Sequence, residues 1–562
     1  MIDLTSNPFF LSPEAIQWVE DTKANMSLDE KLGQLFVPIG YASDPSQLEH
    51  ELLRFHIGGV MYRCGPAKEM QQINKYLQTH SKIPLLIGAN LESGGIGIAQ
   101  DGTAFGRQMQ VAATLHPEEY AYYLGKVSCS EGHAVGCNWA FAPVVDIDRN
   151  YHNPITNVRT FGNDPALIKR CALAYKRAAD EEKVAIAAKH FPGDGCDEVD
   201  QHLLVSVNEL SLSEWNSSYG MIYQALIDAG SLSIMVGHIA QPAYQELFDG
   251  GPVNELIPAT LSASLLQKLL RGKLGFNGLI TTDSTCMVGF NVLLPRRMSV
   301  PYSIEAGCDT FLFNKDLEED FHYMKEGYCN GILSEKRLDE ALTRILATKA
   351  ALGLHLLQPE DRVPSEAALS ILQHEQHLDW ARSCADEAVT LVKDTQSALP
   401  LSPKKTPRIL LEILGNYRNT PRILQKYVDL LQENGFKVTV YERETRETAD
   451  FRVETLRTSY DLVLYIGDME TGSNQVTNRY QWFTFFGNGN NCPWFTAELP
   501  VVYISHANPY ALLDAPQIKT YINAYSTHDL IIDAVVQKLL GHSSFLGHSP
   551  IDPFCGKTHL SY

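Results

Sequence analysis

The chain has 562 residues, 44% of them hydrophobic and 20% charged, with a formal net charge of −20. That length exceeds what one core supports, so two or more domains are expected, and the composition is globular rather than disordered. The acidic balance contains no basic block, which argues against nucleic-acid or anionic-membrane binding as the main task.

The 11 cysteines are odd in number and include no Cys-x-x-Cys pair, which suggests reduced thiols rather than a disulfide framework. The N-terminus, MIDLTSNPFFLSPEA, lacks a basic n-region and a long apolar core. No apolar run approaches the ~20 residues that a membrane span requires. A cytoplasmic protein is the expectation, and the sequence is silent on oligomeric state.

In chain order, Ser12-Pro13-Glu14 places a cap and a first-turn proline ahead of a helix, and Ser27-Leu28-Asp29-Glu30 forms a capping box for a second. From QLFVPIG onward, strand-like runs alternate with helical ones. They are HIGGVMYR (56–63), PLLIGANLE (84–92), GCNWAFAPVVDID (136–148), VAIAAKH (184–190), SLSIMVGHI (231–239), FNGLITTDS (276–284) and GCDTFLFN (307–314). Eight such runs point to a (β/α)8 TIM-like barrel over 1–357, with loops at the strand C-termini carrying chemistry. A doubly wound open sheet is the competing pattern. Residues 358–378 have the composition of a linker, and 379–562 alternate strands and helices as a second, open parallel-sheet α/β/α domain. Within it, NRYQWFTFFGNGNNCPWF (478–495) is dense in aromatics. It suits interface packing between domains or, more sharply, an aromatic platform for a second sugar.

The chemistry concentrates at strand ends. Asp283 terminates the buried run GLITTD, where a carboxylate is costly unless paired or used, although Asp-Ser before a helix also suits an N-cap. Asp200 and His202 stand two apart. The carboxylate can fix the imidazole tautomer and free its other nitrogen for proton transfer, or the segment is a solvated acidic loop. Lys189 and His190 close the fifth run, as donors into a site or as a snorkelling lysine and a capping histidine. No His-x-x-x-His or Cys/His cluster appears at metal-ligand spacing, and GGIGIAQDG lacks the G-x-G-x-x-G spacing. Neither a metal nor another cofactor is therefore expected.

Taken together, KHFPG, the Asp-x-His pair and GLITTD resemble the signature of family 3 glycoside hydrolases, in the β-N-acetylglucosaminidase branch. The resemblance implies that Asp283 is the nucleophile, Asp200 and His202 the acid/base dyad, and Lys189 and His190 ligands of sugar hydroxyls. Arg159, in NPITNVRTFGNDP, matches the element whose arginine grips the sugar. Asp146 and Asp148 fit supporting roles, and His238 is a candidate for lining the site. The stretch AVTLVKD…ALPL (388–401) resembles the start of the family's second domain. Two departures stand out. Asn90-Leu91-Glu92-Ser93-Gly94-Gly95 replaces Asp-Gln-Glu-Gly-Gly-Arg, so Asn90 takes the place of a sugar-binding Asp. Asp194 replaces the second histidine of KHFPGHG.

The implied activity is retaining, exo-acting removal of terminal β-linked N-acetylglucosamine from a small or oligosaccharide substrate. Such enzymes hold the nucleophile ~5 Å from the acid/base group. β-Glucosidase or β-N-acetylglucosaminide phosphorylase activity is the alternative on the same scaffold. A sugar-binding descendant without catalysis would lack Asp283 or the dyad, and neither is missing.

Overall fold

Each of the eight apolar runs contributes a strand. They are β1 (Phe36–Val37 and Ile39–Gly40), β2 (Gly59–Tyr62), β3 (Leu86–Ala89), β4 (Trp139–Ala140), β5 (Ala185–Phe191), β6 (Ser233–Val236), β7 (Leu279–Thr282) and β8 (Phe311–Leu312). In the computed structural model, all residues are described except 1, 252–253, 416–419, 443–449, 451, 481, 486–487 and 490. Every strand pair from β1 through β7 is parallel and consecutive. A parallel bridge between Thr281 and Thr310 joins β7 to the residue before β8, and β8 pairs with the first piece of β1, so the sheet closes on itself. Closure leaves no edge strand, and it explains why β5 is buried at every position and reads as one apolar run.

The helices between strands follow their local signals. Ser12 accepts from Ala15 N at 3.2 Å, and the Ser27–Glu30 capping box is formed in both directions. The helical segment between β5 and β6, residues 212–228, is interrupted by a π-turn at Asn216–Gly220. The hydroxyls of Ser217 and Ser218 both donate to Glu214 O, at 3.1 and 2.6 Å, competing there with backbone donors.

At the amino-terminal end of the barrel, Asp309 is fully buried and receives Arg271 at 2.6 Å, Arg337, and Arg344 at 3.7 Å. Asp309→Asn would leave these guanidinium groups without their carboxylate. A loss of about 3–5 kcal/mol is expected in denaturant unfolding, and a variant as stable as the parent would contradict this.

The described residues group into two units, Met1–Phe105, Ala121–Asn150 and Pro165–Leu378 in one, and Gly106–Tyr120, Tyr151–Asp164 and Asp379–Tyr562 in the other. Residues 358–378 therefore cluster with the barrel. Val363 is buried, Arg362 donates to Gln78 O and Ser81 O, and His377 Nδ1 lies 2.7 Å from the buried Glu131.

The second unit holds a six-stranded sheet of β9 (Thr390–Asp394), β10 (Arg408–Gly415), β11 (Lys437–Val440), β12 (Leu462–Asp468), β13 (Val501–Ser505) and β14 (Thr520–Asn523), in the order β9-β14-β13-β12-β10-β11. It departs from the expected all-parallel sheet in one respect, since β9 runs antiparallel to β14. Residues 395–407 contain no helix that could carry a parallel crossover. In the aromatic segment, Tyr480 and Phe495 are buried and Trp482 packs with them against this unit's own sheet. Residues 481, 486, 487 and 490 of that segment lie outside the described residues.

Burial pushes the Glu412 carboxyl, in the middle of β10, up to about 8. Folding thus favours the protonated form, so this group's stabilisation is complete below the ordinary glutamate range and is lost as pH rises through about 8. Glu412→Gln is expected to raise the denaturation midpoint at pH 8.5 by the equivalent of about 2–4 kcal/mol and to change it little at pH 4. Equal effects at both pH values would contradict the assignment.

Candidate active site

The side chains singled out in the barrel sequence gather at its carboxyl end because successive parallel strands deliver them there. Lys189 and His190 lie within β5, Asn90 and Glu92 follow β3, Asp146 and Asp148 follow β4, His238 follows β6, and Asp283 follows β7. Val144 bridges Lys189 in parallel, and Val145 N donates to Lys189 O at 2.8 Å. This register sets Asp146 beside His190.

Asp146 is fully buried and works with both oxygens. One accepts from His190 N at 3.1 Å and Asp194 N at 2.8 Å, while the other lies 2.7 Å from His190 Nδ1. The far side of the same ring, Nε2, lies 3.7 Å from Asp283 Oδ2. His190 therefore stands between two carboxylates. Asp283 is 7% exposed, and its other oxygen accepts from Ser284 N at 2.7 Å. Burial alone would raise its pKa. The facing imidazoles, His190 first, together with the Ser284 N–H more than reverse that and hold it below the usual carboxylate range.

His238 is fully buried, with Nε2 2.9 Å from Ser284 O and Nδ1 2.9 Å from Thr260 Oγ1. A carbonyl can only accept, so Nε2 carries the proton and Nδ1 accepts from the threonine hydroxyl. Burial drives this imidazole down to about 4, consistent with that neutral tautomer. His238 thus braces the backbone after Asp283.

Of the acidic loop, Asp200 is folded inward, while Glu198 stays exposed. Asp200 is 2% exposed and lies 2.6 Å from His202 Nδ1 while also accepting from His202 N at 2.9 Å. His202 lies near enough to Asp283 to act on its charge. The two loops are tied through the backbone, with Val288 N donating to His202 O at 3.0 Å. Gln201 also ties the acidic loop to the end of β6, its amide oxygen accepting from His238 N at 2.7 Å.

Lys189 Nζ reaches Glu92 Oε1 at 2.7 Å and Asn90 Oδ1 at 3.2 Å, all three being on the barrel. Glu92 is the residue that the sequence reading left without a role. Its position two residues beyond Asn90 at a strand end was the available signal. Arg159 lies within Tyr151–Asp164 of the second unit, where its Nη1 reaches Ile155 O at 3.4 Å. Among the described residues, no three His, Cys, Asp or Glu side chains are grouped to hold a metal ion, and no helix is long and apolar enough to cross a membrane.

Comparison with known proteins matches residues 27–348 to the glycosyl hydrolase family 3 N-terminal domain. The chain is 42% identical, over the full length of both, to a Cellulomonas fimi protein named beta-N-acetylglucosaminidase/beta-glucosidase. Among solved structures, beta-glucoside phosphorylase BglX superposes with a TM-score of 0.93 at 43% identity, covering 99% of each chain. A family 3 beta-N-acetylglucosaminidase from Paenibacillus sp. shares the fold, with a TM-score of 0.78 at 21% identity over 94% of this chain and 99% of its own.

Proposed function

The chain belongs to glycosyl hydrolase family 3, and from that premise we propose that it is a retaining, exo-acting glycosidase that removes terminal β-linked N-acetylglucosamine. The observation that carries this reading is Asp283, buried yet held ionised, facing His190 at 3.7 Å and within electrostatic reach of the Asp200–His202 pair.

An ionised, desolvated carboxylate is what attack on an anomeric carbon requires. Asp283 displaces the aglycone and forms a glycosyl-enzyme. Asp200 holds His202 through Nδ1 at 2.6 Å, which leaves Nε2 to protonate the departing oxygen and then to deprotonate the incoming acceptor. Lys189, set by Glu92 and Asn90, and His190, set by Asp146, hold sugar hydroxyls. Arg159 is proposed to grip the sugar by its family motif alone.

A second reading is favoured by a specific observation. The proposed acid/base group is an imidazole and not a carboxylate, so the side chain that meets the acceptor carries no negative charge of its own and repels an anionic acceptor less. The similarity to a beta-glucoside phosphorylase along 99% of the chain supports phosphate in place of water, and glucose in place of N-acetylglucosamine. Cytoplasmic placement remains part of the proposal.

Nitrophenyl β-N-acetylglucosaminide and β-glucoside, each with and without phosphate, test both readings. Hydrolysis predicts free sugar and a rate independent of phosphate, with the acetamido substrate preferred. Phosphate-dependent formation of a sugar 1-phosphate would replace hydrolysis by phosphorolysis, and turnover of neither substrate would overturn both.

A further inference from the structure

Beside the proposed acid/base histidine, the barrel exposes apolar side chains that the mechanism above does not use. Leu204 is 53% exposed, Val288 44% and Val292 57%. They form one neighbourhood. Val288 N donates to His202 O at 3.0 Å, and Gly289 N donates to Gln201 O at 3.3 Å. A Cβ at Gly289 would lie 2.7 Å from Leu204 O, so the two backbones touch there. Val292 N donates to Val288 O at 3.0 Å, one helical turn on, which places both valines on one face.

The segments that carry these side chains are themselves free of charged residues, with Arg296 close by at Phe290 and paired with Asp320. Residues 286–294, CMVGFNVLL, contain no ionisable group except Cys286, and residues 203–205 are Leu-Leu-Val, in a chain of which 20% is charged. Exposed apolar groups that cluster, rather than scatter singly, mark a binding surface. The position says which one. The patch starts two residues after His202, whose imidazole serves the departing oxygen, and five residues after Asp283, which attacks the opposite side of the same bond.

We infer that Leu204, Val288 and Val292 form an aglycone subsite that selects an apolar leaving group, such as an alkyl or aryl chain, over a second sugar. This deepens the glycosidase reading and rests on it. A sugar in that place would need polar partners for its hydroxyls, and these three side chains supply none. An apolar group gains by leaving water, and when its binding is realised at the transition state the gain appears in kcat/KM.

The test is a series of n-alkyl β-glycosides from methyl to octyl, carrying whichever sugar the enzyme turns over. For the parent enzyme, kcat/KM is expected to rise about two- to fourfold per methylene over the first several carbons, in line with the transfer free energy of partly to fully buried methylenes. Val288→Ser and Leu204→Ser are expected to flatten that slope. A flat slope in the parent, an unchanged slope in both variants, or a disaccharide glycoside preferred over octyl would overturn the inference. So would parent self-association in sedimentation that Val288→Ser abolishes together with no alkyl dependence, since the patch would then cover a second copy. The underlying reading is checked separately by a 2-deoxy-2-fluoroglycosyl fluoride, which has no carbon aglycone. Labelling of Asp283 with a flat alkyl slope sinks the subsite alone, whereas failure to label Asp283 sinks the nucleophile.

Discussion

Asp283→Ala is expected to lower turnover of an aryl β-glycoside by about 10⁴-fold or more, the scale seen when a covalent nucleophile is removed from a preorganised site. The rest of the site should persist. His190 keeps its two contacts to Asp146, and His238 keeps Thr260 and Ser284. The thermal midpoint should therefore fall only modestly, because desolvation of the buried carboxylate offsets most of what the facing imidazoles and the Ser284 N–H contribute. A merely structural aspartate would behave in the opposite way, losing stability first and activity as a consequence. Azide distinguishes the cases further, since a small anion entering the vacated space should restore turnover of activated substrates and give a glycosyl azide of inverted anomeric configuration. The pH profile of the parent enzyme carries the same information. With Asp283 held below the usual range, its ionised form survives as pH falls through about 4, and the acid limb of kcat/KM set by this group should lie below that.

His202→Ala should separate substrates by leaving group. For a methyl or alkyl glycoside, whose oxygen must be protonated as the bond breaks, a loss of about 10²–10⁴ is expected. A dinitrophenyl glycoside should lose about tenfold or less at the glycosylation step. Asp200→Asn should show the same pattern in milder form, because Asp200 acts through the tautomer of His202. Uniform loss across leaving groups would mean that His202 holds the loop rather than moving a proton. That is a real alternative, given that its carbonyl accepts from Val288 N.

The barrel was legible because its strands are buried and so appear as apolar runs, and because the runs of β3 to β7 end in residues placed at the site. GLITTD yields β7 and then Asp283, and VAIAAKH yields β5 with Lys189 and His190. Contacts between strands were not legible, since they depend on register. The clamp of Asp146 on His190 follows from the pairing of Val144 with Lys189, and the Glu92–Lys189 pair joins the ends of β3 and β5. His238 looked like a site-lining residue. Its burial and its two protein partners instead make it a neutral brace for Ser284. The solvated-loop reading of residues 196–200 holds for Glu198, which is exposed, but not for Asp200, which is folded in and bonded to His202, something that charge composition alone does not reveal. The antiparallel β9 was hidden for a similar reason, since strand direction depends on the connection that follows and not on the strand's own residues.

The most direct measurement of the account is the mass of the enzyme after incubation with a 2-deoxy-2-fluoro glycosyl fluoride, followed by peptide mapping. A single sugar-sized adduct on Asp283 that disappears on adding an acceptor is the predicted result. An adduct confined to Glu92, Asp146 or Asp200, or full turnover of the same sugar by Asp283→Ala, would contradict it.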